Sequence, residues 1–352
     1  MATYGVISDT HCHNWSMFSK LSENGINSRL EIILNEIKRA AASVKEAGGR
    51  YLFHAGDIFH VRGTISPSVM NPVINTFREI IDMGITPVLL CGNHDSEFRL
   101  VNDVGSAISA FREIGCLIAN SDFSLDVDDR KVVMIPWEPN AEKFQKTIEN
   151  WGNAINDQKW ILICHAPLSD VLPSMNNASC FSHTDIKSWA GDNCDIVFAG
   201  HIHNHKDLGQ RVYSVGAIAH HNWRDVDTKA GFIIVKDNAP RFFASHAPRF
   251  VEINGSMSED EILLLADGNY IRATVTMTEA EIKDLRTQLE KAGARGVTII
   301  CHQKAEDRAN RMEIKTSESL ESIVSRYTAE KLKKDPKNAK IVFDMVNELM
   351  AG

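Results

Sequence analysis

The sequence has no apolar run long enough to span a membrane, and its first residues are not a basic stretch followed by an apolar one. It therefore predicts neither a transmembrane segment nor a secretory signal. The seven cysteines are scattered and include no C-x-x-C pair. An odd number without a pairing pattern favours a reduced compartment over a disulfide framework. We expect a soluble cytoplasmic protein with no membrane partner.

The sequence also has no excess of basic residues. Lys and Arg number 38 against 46 Asp and Glu, which gives a formal net charge of −8. Domains that bind nucleic acid are typically basic, but an acidic balance does not exclude one, because bound divalent cations offset an acidic site. No internal repeat or low-complexity tract is present. The length of 352 residues predicts one large domain and a smaller one.

Polar side chains come directly after several short apolar segments that have the length of buried strands. The clearest case is Leu89–Asp95, which reads LLCGNHD. Four further segments end in the same way, in SDTH, GDIFH, H and GHIH. A single histidine at a strand end is more often structural than functional, but five such clusters are not expected by chance. Together they supply the candidate residues Asp9, His11, Asp57, Asn93, His94, His165, His201 and His203.

The order of the predicted elements indicates an α/β fold. Strand–helix–strand units join Thr3–Ile7, Tyr51–Phe53 and Pro87–Cys91, so these strands should be adjacent and parallel. Their carboxyl ends then lie at one sheet edge, where open α/β sheets bind ligands. A second, mixed sheet is predicted to pack face to face on the first, giving a two-sheet sandwich flanked by helices. This second sheet is expected to contain Trp160–Cys164, Asp195–Ala199, Val212–Val215, Phe232–Val235 and Arg249–Ile253.

The chain is predicted to contain four segments. Residues 1–253 form the main domain, and the polar, glycine-bearing stretch 254–268 is the linker. Residues 269–316 read as a small α+β unit of a strand, a helix and two strands, which needs a partner surface to be stable. Residues 317–352 hold two amphipathic helices. Their apolar stripes favour a surface for a partner over packing on their own domain.

The candidate side chains combine carboxylate, imidazole and amide groups. This mixture suits Mn²⁺, Fe or Zn²⁺ better than Ca²⁺, which prefers oxygen ligands alone. The set is too large for one tetrahedral ion, whereas two ions about 3.5–4 Å apart share a bridging carboxylate in enzymes that act on phosphate esters. Asp57 is the best candidate for that bridge. No cysteine belongs to the set, which disfavours a structural zinc site.

The order D-x-H, GD, GNHD, H and G-H-x-H, over about residues 3–236, resembles the calcineurin-like metallophosphoesterase superfamily. The resemblance implies a first metal ion held by Asp9, His11, Asp57 and His203. It implies a second ion held by Asp57, Asn93, His165 and His201. His94 is then the unligated histidine beside the phosphate, which stabilises charge and protonates the leaving oxygen. A metal-bound water of lowered pKa would attack in line.

Two motifs resemble the SbcD-like DNA double-strand-break repair nucleases, including phage recombination nuclease subunits. The chain has GDIFHVRG and GNHD, whereas protein Ser/Thr phosphatases of this superfamily typically have V-D-R-G after GD, and GNHE. The resemblance implies a DNA exonuclease and endonuclease that uses Mn²⁺, with Mg²⁺, Fe or Zn²⁺ as alternatives. It places His60 near the scissile phosphate.

The same resemblance implies partners. Residues 269–316 would be a capping domain that contacts DNA, and residues 317–352 would bind the coiled coil of an SMC-like ATPase subunit. A homodimer is expected, in the cytoplasm of a bacterial cell or of a phage-infected host.

The sequence also allows other functions and other roles for some of these residues. The chain is alternatively a phosphoesterase of the same superfamily that acts on a small molecule or a protein, or a non-cutting scaffold subunit of a DNA-processing ATPase complex. Arg62 and Arg99 are candidates for contacts with substrate phosphate, with solvated positions as the alternative. His220 and His221 either touch a nucleic-acid strand or lie in a surface loop. Trp137 is expected in the core rather than as a base-stacking platform.

Overall fold

The computed structural model describes residues 1–98, 101–155, 158–171 and 180–301, together with 322, 323, 326 and 341. Arg99, the predicted strand at 312–315 and nearly all of the helical segment 317–352 lie outside the described residues. In the described part, no helix is long and apolar enough to cross a membrane. The chain divides into two compact units, residues 1–273 with 287–298, and residues 274–286 with 299–352.

Strands dominate the first unit. In chain order, the strands of the described residues are β1 (Tyr4–Ile7), β2 (Tyr51–His54), β3 (Thr86–Leu90), β4 (Ser96–Phe98), β5 (Val101–Ser106), β6 (Leu117–Ala119), β7 (Phe123–Val127), β8 (Arg130–Ile135), β9 (Trp160–His165), β10 (Cys194–Gly200), β11 (Lys206–Asp207), β12 (Val212–Ser214), β13 (Gly231–Lys236), β14 (Ala239–Ala244), β15 (Phe250–Ile253), β16 (Tyr270–Val275) and β17 (Gly296–Cys301). The α-helices are α1 (Ser28–Ala47), α2 (Pro67–Asp82), α3 (Ala141–Ala154), α4 (His183–Ala190), α5 (Glu259–Ala266) and α6 (Glu279–Lys291). Short 3₁₀ helices cover Ala107–Ile114 and Trp223–Asp225.

Two six-stranded sheets form the main layers. The order is β14-β13-β1-β2-β3-β6 in the first sheet and β11-β12-β10-β9-β8-β7 in the second. β1, β2 and β3 are adjacent and parallel, with Ile7 beside His54 and His54 beside Leu89. β9 and β10 are also parallel, with His165 beside Gly200. The parallel pairing predicted for β1, β2 and β3 is confirmed.

Two strands predicted for the second sheet lie elsewhere. β13 pairs antiparallel with β1 in the first sheet, where Tyr4 is opposite Val235. β15 belongs to a separate three-stranded sheet with β16 and β17. The prediction was wrong because the order of strands along a chain does not show whether a late strand extends the latest sheet or returns to the free edge of the first one.

Alternating side chains fill the space between the two sheets. The buried cluster there includes Tyr4, Val6, Phe53, Val88 and Leu90 from the first sheet and Met134, Ile161, Ile163, Ile196 and Phe198 from the second. The residues between them along the strands, such as Ile7, Leu52 and Leu89, belong to another cluster with the apolar faces of α1 and α2. Strands buried on both faces read as continuous apolar runs, as seen in the sequence. The predicted sandwich flanked by helices is confirmed.

The region after the sandwich contains more regular structure than expected. α5 lies inside the predicted linker 254–268, and its N-cap Ser258 accepts a hydrogen bond from the backbone N–H of Glu261 at 3.3 Å. β16, α6 and β17 correspond to the strand, helix and first following strand predicted within 269–316. The domain boundaries drawn from the sequence stay predictions.

Candidate metal centre

The polar residues that follow the strands meet at one edge of the sandwich. Asp9 follows β1, Asp57 follows β2 and Asn93 follows β3, while His165 ends β9 and His201 follows β10. Hydrogen bonds join the two sheets at this edge. The backbone N–H of His201 donates to Asp9 Oδ2 at 2.9 Å, and His165 Nδ1 lies 2.7 Å from the carbonyl oxygen of Ala55. The structure thus brings together residues that are far apart in the sequence.

Glycine precedes the site residues where two backbones approach closely. A Cβ atom at Gly92 would collide with the backbone nitrogen and carboxylate of Asp57. A Cβ at Gly200 would collide with the Ser8 side chain and the Ala55 carbonyl oxygen. The glycines of GNHD and GHIH are therefore required because no side chain fits between the loops.

Several site residues adopt a backbone conformation that side chains normally avoid. Asp9, His11, Asp57 and His201 have positive φ angles of 48°, 41°, 60° and 95°. Such conformations are uncommon outside glycine and persist where the surrounding structure holds them. Two backbone hydrogen bonds do so here, from Asp9 N to Gly56 O at 3.0 Å and from His11 N to Asp57 O at 3.1 Å. Local strain of this kind is concentrated at functional sites.

Asp9, His11 and His203 form a first group whose potential ligand atoms all lie within 4.8 Å of one another. His11 Nε2 faces His203 Nε2 at 3.1 Å. It also lies 3.7 Å from Asp57 Oδ2 and 3.9 Å from Asp9 Oδ1. Two ring nitrogens and carboxylate oxygens that point to a common centre are the donor set expected for a divalent transition metal.

Asp57, His165 and His201 form a second group within the same 4.8 Å limit. Asp57 Oδ1 lies 3.4 Å from His165 Nε2. Asn93 Oδ1 lies 3.1 Å from His165 Nε2 and 2.9 Å from His201 Nδ1. One carboxylate oxygen of Asp57 thus faces each group. This is the position that a bridging ligand between two ions requires.

In two of the histidines, a hydrogen bond at Nδ1 leaves Nε2 available to bind a metal ion. His165 Nδ1 has the carbonyl oxygen of Ala55 as its acceptor at 2.7 Å, and His203 Nδ1 has Asp225 Oδ1 at 2.8 Å. In the neutral form of both rings the proton is therefore assigned to Nδ1, and the lone pair of Nε2 points into the site. Metal-binding histidines in proteins show the same pairing with a carbonyl or carboxylate. The donor set fits two divalent ions.

Burial sets the protonation of the site. It lowers the pKa of His11 well below its usual value and that of His201 to about 3, so both rings are neutral near pH 7. Burial also raises the pKa of Asp9. For the other two histidines burial is outweighed: Asp57 raises the pKa of His165 to about 9, and Asp225 raises the pKa of His203, so these rings give up a proton when an ion binds. Burial opposes ionisation of Asp57 as well, but the neighbouring histidines, His165 first, hold the pKa of this carboxyl well below its usual range. Neutral imidazoles and ionised carboxylates are the forms that bind metal.

His94 and His60 lie beside these two groups. The backbone N–H of His94 donates to Asp57 Oδ1 at 2.8 Å, and His94 Nδ1 lies 2.6 Å from the carbonyl oxygen of His60. The two rings stack with centroids 5.6 Å apart and an angle of 17°. His11, His60 and His94 also offer ring nitrogens within 4.8 Å of one another. Both histidines predicted to act on the substrate are therefore at the site.

The two predicted arginines are not equally placed. The Nε of Arg62 donates to the carbonyl oxygen of Asn93 at 2.6 Å, so part of its guanidinium supports the GNHD loop. Arg99 lies outside the described residues. Trp137 is half-buried, and it stacks on His201 with centroids 5.0 Å apart, so it packs on the site and not only in the core.

Sequence reasoning gave no supporting role to His221 and Asp225, which contact the residues of the site. His221 is completely buried, and its ring lies 5.2 Å from that of His11. His220 is 6% exposed, so neither the surface loop nor the nucleic-acid contact predicted for this pair is correct. Asp225 holds His203, as described above. No signal in the sequence marks these positions, because none follows an apolar strand.

Asp95 was visible in the GNHD motif but received no role. Its Oδ2 accepts hydrogen bonds from the backbone N–H groups of Asp57 and Gly92, both at 2.9 Å. Its Oδ1 accepts from Ile58 at 2.9 Å and Phe59 at 3.0 Å. One buried carboxylate thus ties the loop after β2 to the loop after β3. Its position in the motif is the signal that could have revealed it.

Among solved structures, the chain is similar to a dimetal phosphatase from Danio rerio, with a TM-score of 0.39 and 11% identity over 66% of this chain and 91% of that chain. It is also similar to a protein of unknown function from Aquifex aeolicus, with a TM-score of 0.25 and 13% identity over 59% of this chain and 82% of that chain. A search of curated proteins found no match.

The model of one protein family matches residues 2–205, more than half of the 352 residues. That range contains every residue of the two groups described above. The description of the family is calcineurin-like phosphoesterase. The chain therefore belongs to the calcineurin-like phosphoesterases, and it is a metallophosphoesterase.

Proposed function

We propose that this protein is a two-metal DNA nuclease that hydrolyses phosphodiester bonds in DNA repair, recombination or phage DNA metabolism. The observation that carries the proposal is the placement of His60 against His94 and beside His11 of the first ligand group. In the nucleases that the GDIFH and GNHD motifs resemble, a histidine at this position lies near the scissile phosphate. Cutting of DNA in both exonuclease and endonuclease modes is the expected activity.

The ligands are proposed as follows. Asp9, His11, Asp57 and His203 hold one ion, and Asp57, Asn93, His165 and His201 hold the other, with Mn²⁺ as the first choice and Mg²⁺, Fe or Zn²⁺ as alternatives. When bound, the ions lower the pKa of a coordinated water and neutralise charge that develops on the phosphate. The protein's part is to supply neutral imidazoles and ionised carboxylates in a fixed geometry.

His94 is proposed to act on the leaving group. Its Nδ1 donates to the carbonyl oxygen of His60 at 2.6 Å, so the second proton of the imidazolium sits on Nε2. From that atom it can pass to the leaving oxygen, which becomes a hydroxyl group. His60 positions this donor through its carbonyl and places its own ring next to it.

The neutral form of His60 favours a phosphodiester substrate over a phosphomonoester. Burial, followed by the nearby rings of His94 and His13, lowers the pKa of His60 to about 4, so the ring is neutral at pH 7. A phosphodiester carries one negative charge, whereas a phosphomonoester carries about two near this pH. A neutral ring beside His94 suits the diester better.

The test compares DNA with a small ester. Linear duplex and single-stranded DNA, and an aryl phosphodiester, are incubated with the purified protein in Mn²⁺, in Mg²⁺ or in chelator. Mn²⁺-dependent loss of DNA is expected, and His94→Gln should abolish it while leaving two bound ions per chain. His183→Gln is the matched control, because His183 pairs with Asp170 and belongs to none of the ligand groups.

Two outcomes would replace this proposal. Hydrolysis of a small ester or a phosphoprotein with DNA untouched, also in the presence of the ATPase subunit, would favour a small-molecule or protein phosphoesterase. Two bound ions with no hydrolysis of any ester would favour a scaffold subunit. The ligand set itself argues against a scaffold, since a purely structural subunit does not require both groups to be complete.

The partner is a separate part of the proposal. Residues 317–352 are proposed to bind the coiled coil of an SMC-like ATPase, and 269–316 to contact DNA. Deleting 317–352 should abolish binding to such an ATPase and spare cleavage of single-stranded DNA. Unchanged binding would assign these residues to packing within the chain. Light scattering of the intact protein tests the expected homodimer.

A further inference from the structure

The segment His220–Asp225 folds against the first ligand group. It lies between β12 and β13, beyond the residues that the family model matches. His221 is completely buried and Asp225 is only 3% exposed, although the segment contains no strand. We call it the 220–225 loop. Buried polar groups in proteins are normally hydrogen-bonded, so the contacts of this loop indicate what it supports.

Both oxygens of Asp225 are occupied. Oδ1 lies 2.8 Å from His203 Nδ1. Oδ2 accepts hydrogen bonds from the backbone N–H groups of His221 at 2.7 Å and Asn222 at 3.1 Å. The two backbone donors fix the orientation of the carboxylate, so that Oδ1 faces the imidazole of His203. The other ring nitrogen, His203 Nε2, faces His11 Nε2 at 3.1 Å.

The geometry points to Asp225 as the positioning residue that makes His203 a metal ligand. A neutral imidazole has one N–H and one lone pair, and the partner of one nitrogen decides which is which. Asp225 can only accept, so it holds the proton on Nδ1 and leaves the lone pair of Nε2 for the ion. This inference rests on the proposed role of His203.

The 220–225 loop also supports a second ligand of the same ion. His221 Nε2 lies 2.9 Å from the backbone carbonyl oxygen of Asp9, the residue with the strained φ of 48°. The loop is in turn anchored by the buried Arg29, whose Nη2 donates to His221 O at 2.6 Å. The second ligand group does not depend on this loop in the same way, because His165 Nδ1 has the carbonyl oxygen of Ala55 as its hydrogen-bond partner. A change at Asp225 should therefore act on one ion only.

Asp225→Asn tests this directly. The two backbone N–H groups still require an oxygen, so the amide turns its NH₂ toward His203 Nδ1. A donor there forces His203 to accept at Nδ1 and carry its proton on Nε2, where it blocks coordination. Loss of a supporting partner of this kind typically weakens metal binding 10- to 100-fold. We expect that loss for one Mn²⁺ and unchanged binding of the other.

The experiment measures Mn²⁺ binding to the full chain by calorimetry and by metal analysis after dialysis. In parallel, ¹⁵N NMR of the metal-free protein reports the tautomer of His203, identified by its loss in His203→Gln. Asp170→Asn is the matched control: it changes another Asp–His pair, Asp170 with His183 at 3.0 Å, outside the ligand groups. Asp225→Ser is a second, smaller variant that removes the acceptor without presenting an NH₂ group.

The outcomes separate this inference from the proposed function. Two ions in the wild type and one weakened ion with inverted tautomer in Asp225→Asn support it. Two ions of unchanged affinity in both Asp225 variants overturn it and leave the ligand assignment intact. Loss of both ions with a lowered melting temperature in both variants also overturns it, because Asp225 then serves folding. A wild-type protein that binds fewer than two ions contradicts the proposed function itself.

Discussion

Replacing Asp95 by Asn should separate the two loops that carry the centre of the site. The carboxylate accepts four backbone N–H groups, two on each oxygen. The amide of Asn has only one acceptor atom. In either orientation its NH₂ group therefore faces two backbone N–H groups that donate to Asp95 in the wild type. Burial, followed by the charge of Asp57, raises the pKa of Asp95 to about 7, so the carboxylate is fully charged only above that pH. Each hydrogen bond to a charged group contributes about 1.5–3 kcal/mol, so at pH 8 the loss of two costs about 3–6 kcal/mol.

That loss is a large fraction of the free energy of unfolding of a typical domain, about 5–15 kcal/mol. It is measured by urea unfolding followed by circular dichroism in chelator, so that metal binding does not contribute. Asp170→Asn again serves as control, because the Asp170 carboxylate is more exposed and pairs with the backbone N–H and the ring of His183 outside the ligand groups. A change of less than about 1 kcal/mol in Asp95→Asn would refute the view that this carboxylate holds the two loops together.

Four other outcomes are expected. Asp57→Asn should remove both ions, as counted by metal analysis, whereas one retained ion would contradict the bridging position. Gly92→Ala should abolish metal binding because the new Cβ collides with Asp57, while Gly255→Ala, where a Cβ meets nothing within 4 Å, should behave as wild type. Burial lowers the pKa of His54 to about 3, below the value of about 6.5 in the unfolded chain, so the neutral ring stabilises the fold fully above pH 6.5 and this stabilisation is lost as the pH falls. At pH 5 the free energy of unfolding should be about 2 kcal/mol lower for this reason. Unfolding of His54→Gln in chelator should therefore depend less on pH than unfolding of the wild type. Trp137→Ala should raise the Kd of the ion at His201 measured by calorimetry, since the stacked indole holds that ring, and an unchanged Kd would return Trp137 to a packing role.

The ligand groups could be predicted because each residue follows a buried strand in a recognisable motif. Parallel strands bring their carboxyl ends to one edge, so five short motifs were enough to place side chains that lie up to 194 positions apart, as Asp9 and His203 do. The alternation of Val6 and Ile7, or Val88 and Leu89, explains in turn why both faces of these strands are apolar.

The supporting residues could not be predicted, for a physical reason. Asp225 lies in a loop whose burial depends on α1 and on the third sheet, through Arg29 and Phe250. His220 Nδ1, for example, accepts the backbone N–H of Phe250 at 3.1 Å. Such contacts follow from tertiary packing and leave no periodicity in the sequence. The same applies to β13, whose apolar run fits either sheet until its partner β1 is known.

The position of β13 has a consequence for how the chain folds during synthesis. β1 is made long before β13, so one of its two edges stays without a partner until residues 231–236 leave the ribosome, because Tyr4 pairs with Val235. Pairing over such a separation is slow, and a bare apolar strand edge invites association with other chains. We therefore expect nascent chains that end before residue 231 to depend on chaperones and to aggregate when released, whereas chains that extend past β14 should become protease-resistant.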